Sequence, residues 1–156
     1  MWKHIIAKEA QKRGIGWRIA FDEIQDPNTP DFRRFILSQT DDELLQIASV
    51  WGAHHYGDSD FFSQMAERYV NISNWEVQAS LACSPLTPPG ILHEIGSKKA
   101  KEEGLGYILR IIGRNPSTLK ETLINITEDQ SLDDHYRKVA RLNLEKGLLV
   151  ATTRAS

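Results

Sequence analysis

The chain has 156 residues, of which 40% are hydrophobic and 26% charged, with a formal net charge of −2. That length can bury one continuous core, and the composition is that of an ordinary soluble domain rather than a disordered segment. No stretch approaches the apolar length of a membrane span, and Met1 to Lys8 meets charge too early for a signal peptide, so a cytoplasmic protein with no membrane span is expected. Cys83 is the only cysteine, which excludes an internal disulfide and a thiolate cluster for zinc or iron and sulfur; no cofactor is expected. The charge is uneven, with balances of +4 over residues 1–20, −8 over 21–82 and +2 beyond. The long acidic middle argues against a phosphate-gripping surface and suits a basic protein partner, although carboxylates that merely solvate helix faces give the same balance.

Trp2, Ile5, Ile6 and Ala10 recur at helical spacing with Lys3, Lys8 and Lys12 elsewhere, which predicts an amphipathic helix over 2–13. Covering one end of a larger fold suits this short apolar face better than a membrane surface does. Gly14 and Gly16 break it before a second helix at 17–25. Pro27-Asn28-Thr29-Pro30 then leads into an apolar helix at 31–37. Thr40-Asp41-Asp42-Glu43 has the form of a capping box and opens a helix through Leu44, Leu45, Ile47, Ala48 and Trp51.

Residues 52–60 read as a loop. Its imidazoles His54 and His55 and carboxylates Asp58 and Asp60 are residue types that bind a divalent metal; a polar loop with Asp58 or Ser59 as a helix cap explains them without one. A helix over 61–69 follows. Ser73-Asn74-Trp75-Glu76 repeats the capping-box form and starts a helix ending at Cys83, which is expected to be a buried small hydrophobe.

Ser84-Pro85-Leu86-Thr87-Pro88 and Asn115-Pro116-Ser117-Thr118 organise the rest. A proline cannot continue a helix and holds the residue before it extended, so Ser84 and Asn115 should end their helices. Thr87 and Thr118 are then expected to be N-caps of the next helices, with Pro88 at the first helical position. Aligned on these prolines, Val77 pairs with Ile108, Leu81 with Ile112, Ala82 with Gly113, Leu92 with Leu123 and Ile95 with Ile126, each pair keeping its apolar or small character. A third copy lies at Pro27 to Leu37, and a degenerate one around Asp58. Such spacing is the signature of a solenoid.

The second helix of the Pro85 copy is expected at 88–95. The Lys- and Glu-rich stretch 96–106 is a solvated helical turn or an insertion, and 107–113 with 118–126 form the next pair. Arg110 and Arg114 share a helix face and could clamp a carboxylate or phosphate together; a solvated face is the plainer reading. Ser131-Leu132-Asp133-Asp134 starts the last helix, which carries Arg137, Lys138 and Arg141 and is expected to end at Gly147.

The sequences Ala82 to Leu92 and Gly113 to Thr118, a short helix, then Ser or Asn with Pro, then x-Thr and a second short helix, resemble the leucine-rich repeat variant family over residues 75–127. The resemblance implies a right-handed superhelix of alternating α and 3-10 helices, related to HEAT repeats. It implies no activity, and the iron and sulfur centre of some members is ruled out by a lone cysteine. The expected fold is thus all-α, a right-handed α/α and partly α/3-10 superhelical stack of about four degenerate repeats. It would form a single domain over 1–156, with a capping helix at 1–16, repeats at 17–127, a second capping helix at 131–147 and a frayed tail at 148–156.

No phosphate loop, His-Glu-x-x-His or Gly-x-Ser-x-Gly is present. The leading expectation is a noncatalytic protein-binding module, with an inhibitor or immunity-type protein for a basic partner as one specialisation. The first alternative is a HEAT-like nucleic-acid-binding or repair protein, which needs Arg110, Arg114, Arg137, Lys138 and Arg141 on one face. The second is a metal-dependent enzyme at His54 to Asp60. The candidate binding residues are Arg110, Arg114, Arg137, Arg141, His54 and His55.

Overall fold

Helix-forming segments separated by Pro, Asn, Asp and Thr build an all-helical protein. The computed structural model describes residues 2–72, 74–99 and 106–155. Among them are ten α-helices and no strand: α1 Trp2–Arg13, α2 Ile15–Gln25, α3 Asp31–Ser38, α4 Glu43–Tyr56, α5 Ser59–Tyr69, α6 Trp75–Cys83, α7 Pro89–Lys99, α8 Gly106–Arg114, α9 Lys120–Glu128 and α10 Asp134–Ala155. No described helix is long and apolar enough to cross a membrane. The short second helices expected to include 3-10 turns are α-helical, because each is at least two turns long and closes i to i−4 bonds such as Leu92 N to Pro88 O and Leu123 N to Leu119 O. Of the stretch 96–106, the start continues α7 and Gly106 opens α8; the rest lies outside the described residues.

The chain divides into two compact units, residues 1–65 and 66–156. In unit 1, α1 packs on α2, α2 on α4, and α3 on α2 and α4. Ile6, Trp17, Phe21, Ile24, Leu45 and Ala48 form the core, with Leu37 and Leu44 against it. In unit 2, α6 packs on α7 and α8, α7 on α8, and α10 on α8 and α9. Every residue paired by the sequence alignment of the two proline corners is buried there, from Val77 with Ile108 to Ile95 with Ile126.

The corners share one hydrogen-bond pattern. In Asp26–Thr29, Ser84–Thr87 and Asn115–Thr118 the first side chain accepts from the third backbone N–H, at 2.9, 3.2 and 2.9 Å. The fourth N–H returns to the first carbonyl, at 3.2, 3.2 and 3.1 Å. The threonine hydroxyl donates back to the preceding helix, to Glu23 O, Leu81 O and Ile112 O at 2.7, 2.5 and 2.6 Å. This corrects the expected N-cap role. The hydroxyl closes the helix that ends rather than the one that begins, and the caps are Pro30 and Leu119, one residue later. Pro88 likewise precedes α7 and offers its carbonyl to Ile91 N and Leu92 N. A fourth corner, Asp129–Leu132, keeps both backbone features with leucine in place of threonine.

The capping boxes also shift. Asp42, not Thr40, caps α4 by accepting from Leu45 N at 3.0 Å, and Thr40 Oγ1 accepts from Asp42 N. Asn74 caps α6 through Glu76 N and Val77 N; Ser73 lies outside the described residues. Four residues into each helix a buried glutamine reaches back before the cap, Gln46 to Thr40 O at 2.8 Å and Gln78 to Ile72 O. Gly14, at φ 94°, ends α1 in the left-handed region, whereas Gly16 lies inside α2. Gly147 does not end α10, which continues to Ala155. A terminating glycine works by taking positive φ, and among the described residues Gly14 alone does so.

Candidate functional site

Helix α3 is built inside out. Its buried side chains are Arg34 and Ser38, while Phe32 is 71% exposed, Ile36 53% and Phe35 38%. The cause lies in the first corner. The Arg34 guanidinium donates to Ile24 O at 2.6 Å, Asp26 O at 2.5 Å and Thr29 O at 3.1 Å, pairing carbonyls at the end of α2 and in the turn beyond it. Room comes from α4: a Cβ on Gly52 would fall 2.6 Å from Ile24 O and 3.0 Å from Arg34 Nη1. The ring of Tyr56, one turn on, faces the guanidinium at 5.3 Å. With Arg34 inward, Phe32 and Ile36 stand roughly 160–200° round the helix and face out.

Those side chains form one wall of a groove of about 450 Å³ whose rim carries Asp31, Asp58 and Asp60. Asp58 accepts from Phe61 N at 2.7 Å, so the start of α5 fixes its position. That backbone bond, followed by a hydrogen bond with Asp31, holds the Asp58 carboxyl below the usual range; desolvation and then the bond to Asp58 raise that of Asp31. Arg33, the half-buried second cation of α3, is tied to Glu23 at 2.5 Å. The groove therefore combines exposed apolar side chains with acidic ones.

The histidines do not join these carboxylates. Helix α4 runs on to Tyr56, so His54 and His55 lie in its last turn rather than in the expected loop, because the apolar run through Ala53 extends helical packing past Gly52. Their rings, 4.9 Å apart, surround Trp51. His55 lines a separate cleft with Phe21, Gln25, Ala48 and Trp51. Burial, then the charge of His55, lowers the His54 pKa. Among the described residues no group of three His, Cys, Asp or Glu side chains is placed to hold a metal.

In unit 2, Tyr107, Arg110, Ile111 and Arg114, one face of α8, meet Ala82 and Cys83 at the end of α6 across a cleft of about 370 Å³. Asn115 fixes this meeting by donating to Ala82 O at 2.7 Å and Ser84 O at 2.9 Å. Cys83 is exposed on the cleft wall, not buried as expected, since it is the last residue of α6 and lies past the packed face of Val77, Leu81 and Ala82. Protein atoms crowding the thiol on one side push its pKa up. Arg137 does not line this cleft; it bonds Gln130 and Asp134. Arg141 is exposed on α10 and is likewise absent from the lining. The shared face of Arg110 and Arg114 was legible from their spacing.

Sequence reasoning missed Phe32, Ile36 and Arg34. The signal was present: Arg34 stands as far past Thr29 as Leu92 stands past Thr87 and Leu123 past Thr118, so a cation occupies a register that is leucine after the Ser84 and Asn115 corners. Compared with family models, with curated proteins and with solved structures, the chain matches none.

Proposed function

We infer that this chain is a noncatalytic protein-binding module of the helical-repeat type whose docking face is the α3 groove. The observation that carries the reading is the inversion of α3, with Arg34 and Ser38 inside and Phe32, Phe35 and Ile36 outside. Contiguous exposed apolar side chains rimmed by polar groups mark interaction sites. The rim of Asp31, Asp58 and Asp60 selects a partner segment that presents apolar side chains flanked by lysine or arginine. The recurring corner supports a repeat architecture similar to that of the leucine-rich repeat variant family, and a cytoplasmic inhibitor of a basic protein fits both features.

The test is selection of displayed random peptides on the purified protein. Sequences with basic residues flanking apolar ones should be enriched, should bind more weakly as salt rises, and should lose binding to Phe32→Ser and to Asp60→Lys. Equal enrichment on a Phe32→Ser, Ile36→Ser double variant, or selection of acidic sequences that need Phe32, sinks the reading.

A further inference from the structure

Unit 2 carries a cleft whose charged side chains are opposite in sign to those of the α3 groove. The α6–α8 cleft is lined by two guanidinium groups and by no carboxylate. Among the described residues, neither Arg110 nor Arg114 makes an ion pair, although Arg137 and Lys98 are paired to Asp134 and Glu94. Arg110 Nε, like Arg137 Nε outside the cleft, is withdrawn from solvent with no hydrogen-bond partner. Two guanidinium groups lining one cleft without a carboxylate partner are short of acceptors, and a planar oxyanion supplies two at the spacing of the fork. The rest of the lining is apolar or neutral: Ile111 and Ala82 on the walls, Tyr107 half exposed at the mouth, and the Cys83 thiol.

The cleft is also held in shape before any ligand arrives. Asn115 binds both carbonyls at the end of α6, and Ser117 Oγ donates to Pro85 O at 2.5 Å. These bonds fix Arg114 relative to Cys83, so little ordering remains to oppose binding.

We propose that this cleft binds an acidic peptide segment, a carboxylate side chain lying on Arg110 and Arg114 and an apolar neighbour lying on Tyr107 and Ile111. A single recess of about 370 Å³ holds a side chain or two. A nucleic-acid strand instead needs a row of cations along successive phosphates; the lining of this cleft holds two, Arg110 and Arg114, and Arg137 is tied to its own carboxylate. The inference is independent of the α3 groove, which takes the opposite charge.

The experiment uses the full chain and its single thiol. N-ethylmaleimide modification of Cys83, followed by mass spectrometry, reports occupancy of the cleft directly. Short synthetic peptides carrying glutamate beside leucine or phenylalanine should slow the modification and should bind in a calorimetric titration. Arg114→Gln, at an exposed position, and Arg110→Gln should each weaken binding by about tenfold or more, with unchanged melting temperature checked for each; Arg137→Gln should leave it intact. Should Arg110→Gln fail to fold, Arg114→Gln and Tyr107→Ser decide the matter. The proposal is overturned if no acidic peptide protects Cys83, if peptides bind without protecting it, if Arg114→Gln binds as the parent does, or if inorganic phosphate, single-stranded DNA or a basic peptide protects as well. Binding to the α3 groove is read by a different variant, Phe32→Ser, so the two readings fail separately.

Discussion

The corner of unit 1 and the corners of unit 2 face the same need and meet it with different chemistry. At the Asp26, Ser84 and Asn115 corners two carbonyls accept from a distant side chain, Ile24 and Asp26, Ala82 and Ser84, Gly113 and Asn115, the second of each pair also holding the N–H of its own turn. In unit 2 a neutral amide from the following corner or helix pairs them, Asn115 reaching Ala82 and Ser84, and Asn143 reaching Gly113 and Asn115 at 2.9 Å each. The register of Leu92 and Leu123 is then free to be apolar and buried. In unit 1 the residue as far beyond Asp26 as Asn115 is beyond Ser84 is Gly57, which has no side chain to offer. The register of Leu92 and Leu123 is here Arg34, which pairs the carbonyls itself. A change made to satisfy backbone groups thereby turns α3 over and puts its aromatic residues outside. The difference teaches that a surface patch can originate in a hydrogen-bonding requirement on the opposite side of its helix.

The strongest way to break this comparison is to give unit 2 the residue of unit 1. Leu92→Arg buries a guanidinium where Asn115 already holds the carbonyls, and should cost about 4 kcal/mol or more in urea unfolding. Combined with Asn115→Gly, which frees those carbonyls, its cost should fall, giving a favourable coupling of about 1–2 kcal/mol in a double-mutant cycle. Additive costs would mean that the two registers do not substitute for each other. The reverse change, Arg34→Leu, takes the side-chain donor from the carbonyls of Ile24, Asp26 and Thr29, of which Asp26 keeps the Thr29 N–H, and should destabilise by about 3 kcal/mol. Hydrogen exchange should locate that loss in α2 and α3, and Arg34→Lys should rescue little because an ammonium cannot fork across both carbonyls.

Asn115→Ala should cost about 2 kcal/mol and Asn143→Ala, whose bonds are only partly buried, about 1 kcal/mol. Equal costs at the two positions would argue that burial does not set the value of these amides. Thr29→Ala, Thr87→Ala and Thr118→Ala each remove one hydroxyl donor and should cost about 1 kcal/mol apiece, leaving peptide binding unchanged in the folded protein.

The smallest expected effect is on pH dependence. The folded-state pKa of His54 lies below its ordinary value, mainly through burial, so the unfolded chain takes up the proton first. Stability should be level above the ordinary imidazole range, decline as pH falls from there to the lowered value, and level again. His54→Gln should flatten that decline in unit 1, as followed by hydrogen exchange of α4 amides. An unchanged slope would assign the effect to other groups.

Much of the fold was legible because it depends on local chemistry. Proline stops a helix wherever it falls, and apolar residues at helical spacing must share a face; hence the ten aligned residues of the two proline corners are buried without exception. Caps were displaced by a residue or two: Thr40 and Asp42 offer equivalent local chemistry and the surrounding turn selects between them, whereas the Thr87 hydroxyl is taken by Leu81 O of the preceding helix. The loop expected at His54 failed for a related reason: Gly52 looks like a helix breaker in sequence, yet it serves as the point where α4 passes close to Ile24 and Arg34. The common face of Arg110 and Arg114 followed from helical periodicity. Their meeting with Cys83 did not, since it depends on Asn115 reaching carbonyls 33 and 31 residues away. For the same reason the sequence by itself determined an all-helical chain with recurring corners, while only the tertiary structure decided that Arg34 points inward and Phe32 outward. Which side of a helix faces the protein is set by the carbonyls waiting there, and these belong to another segment of the chain.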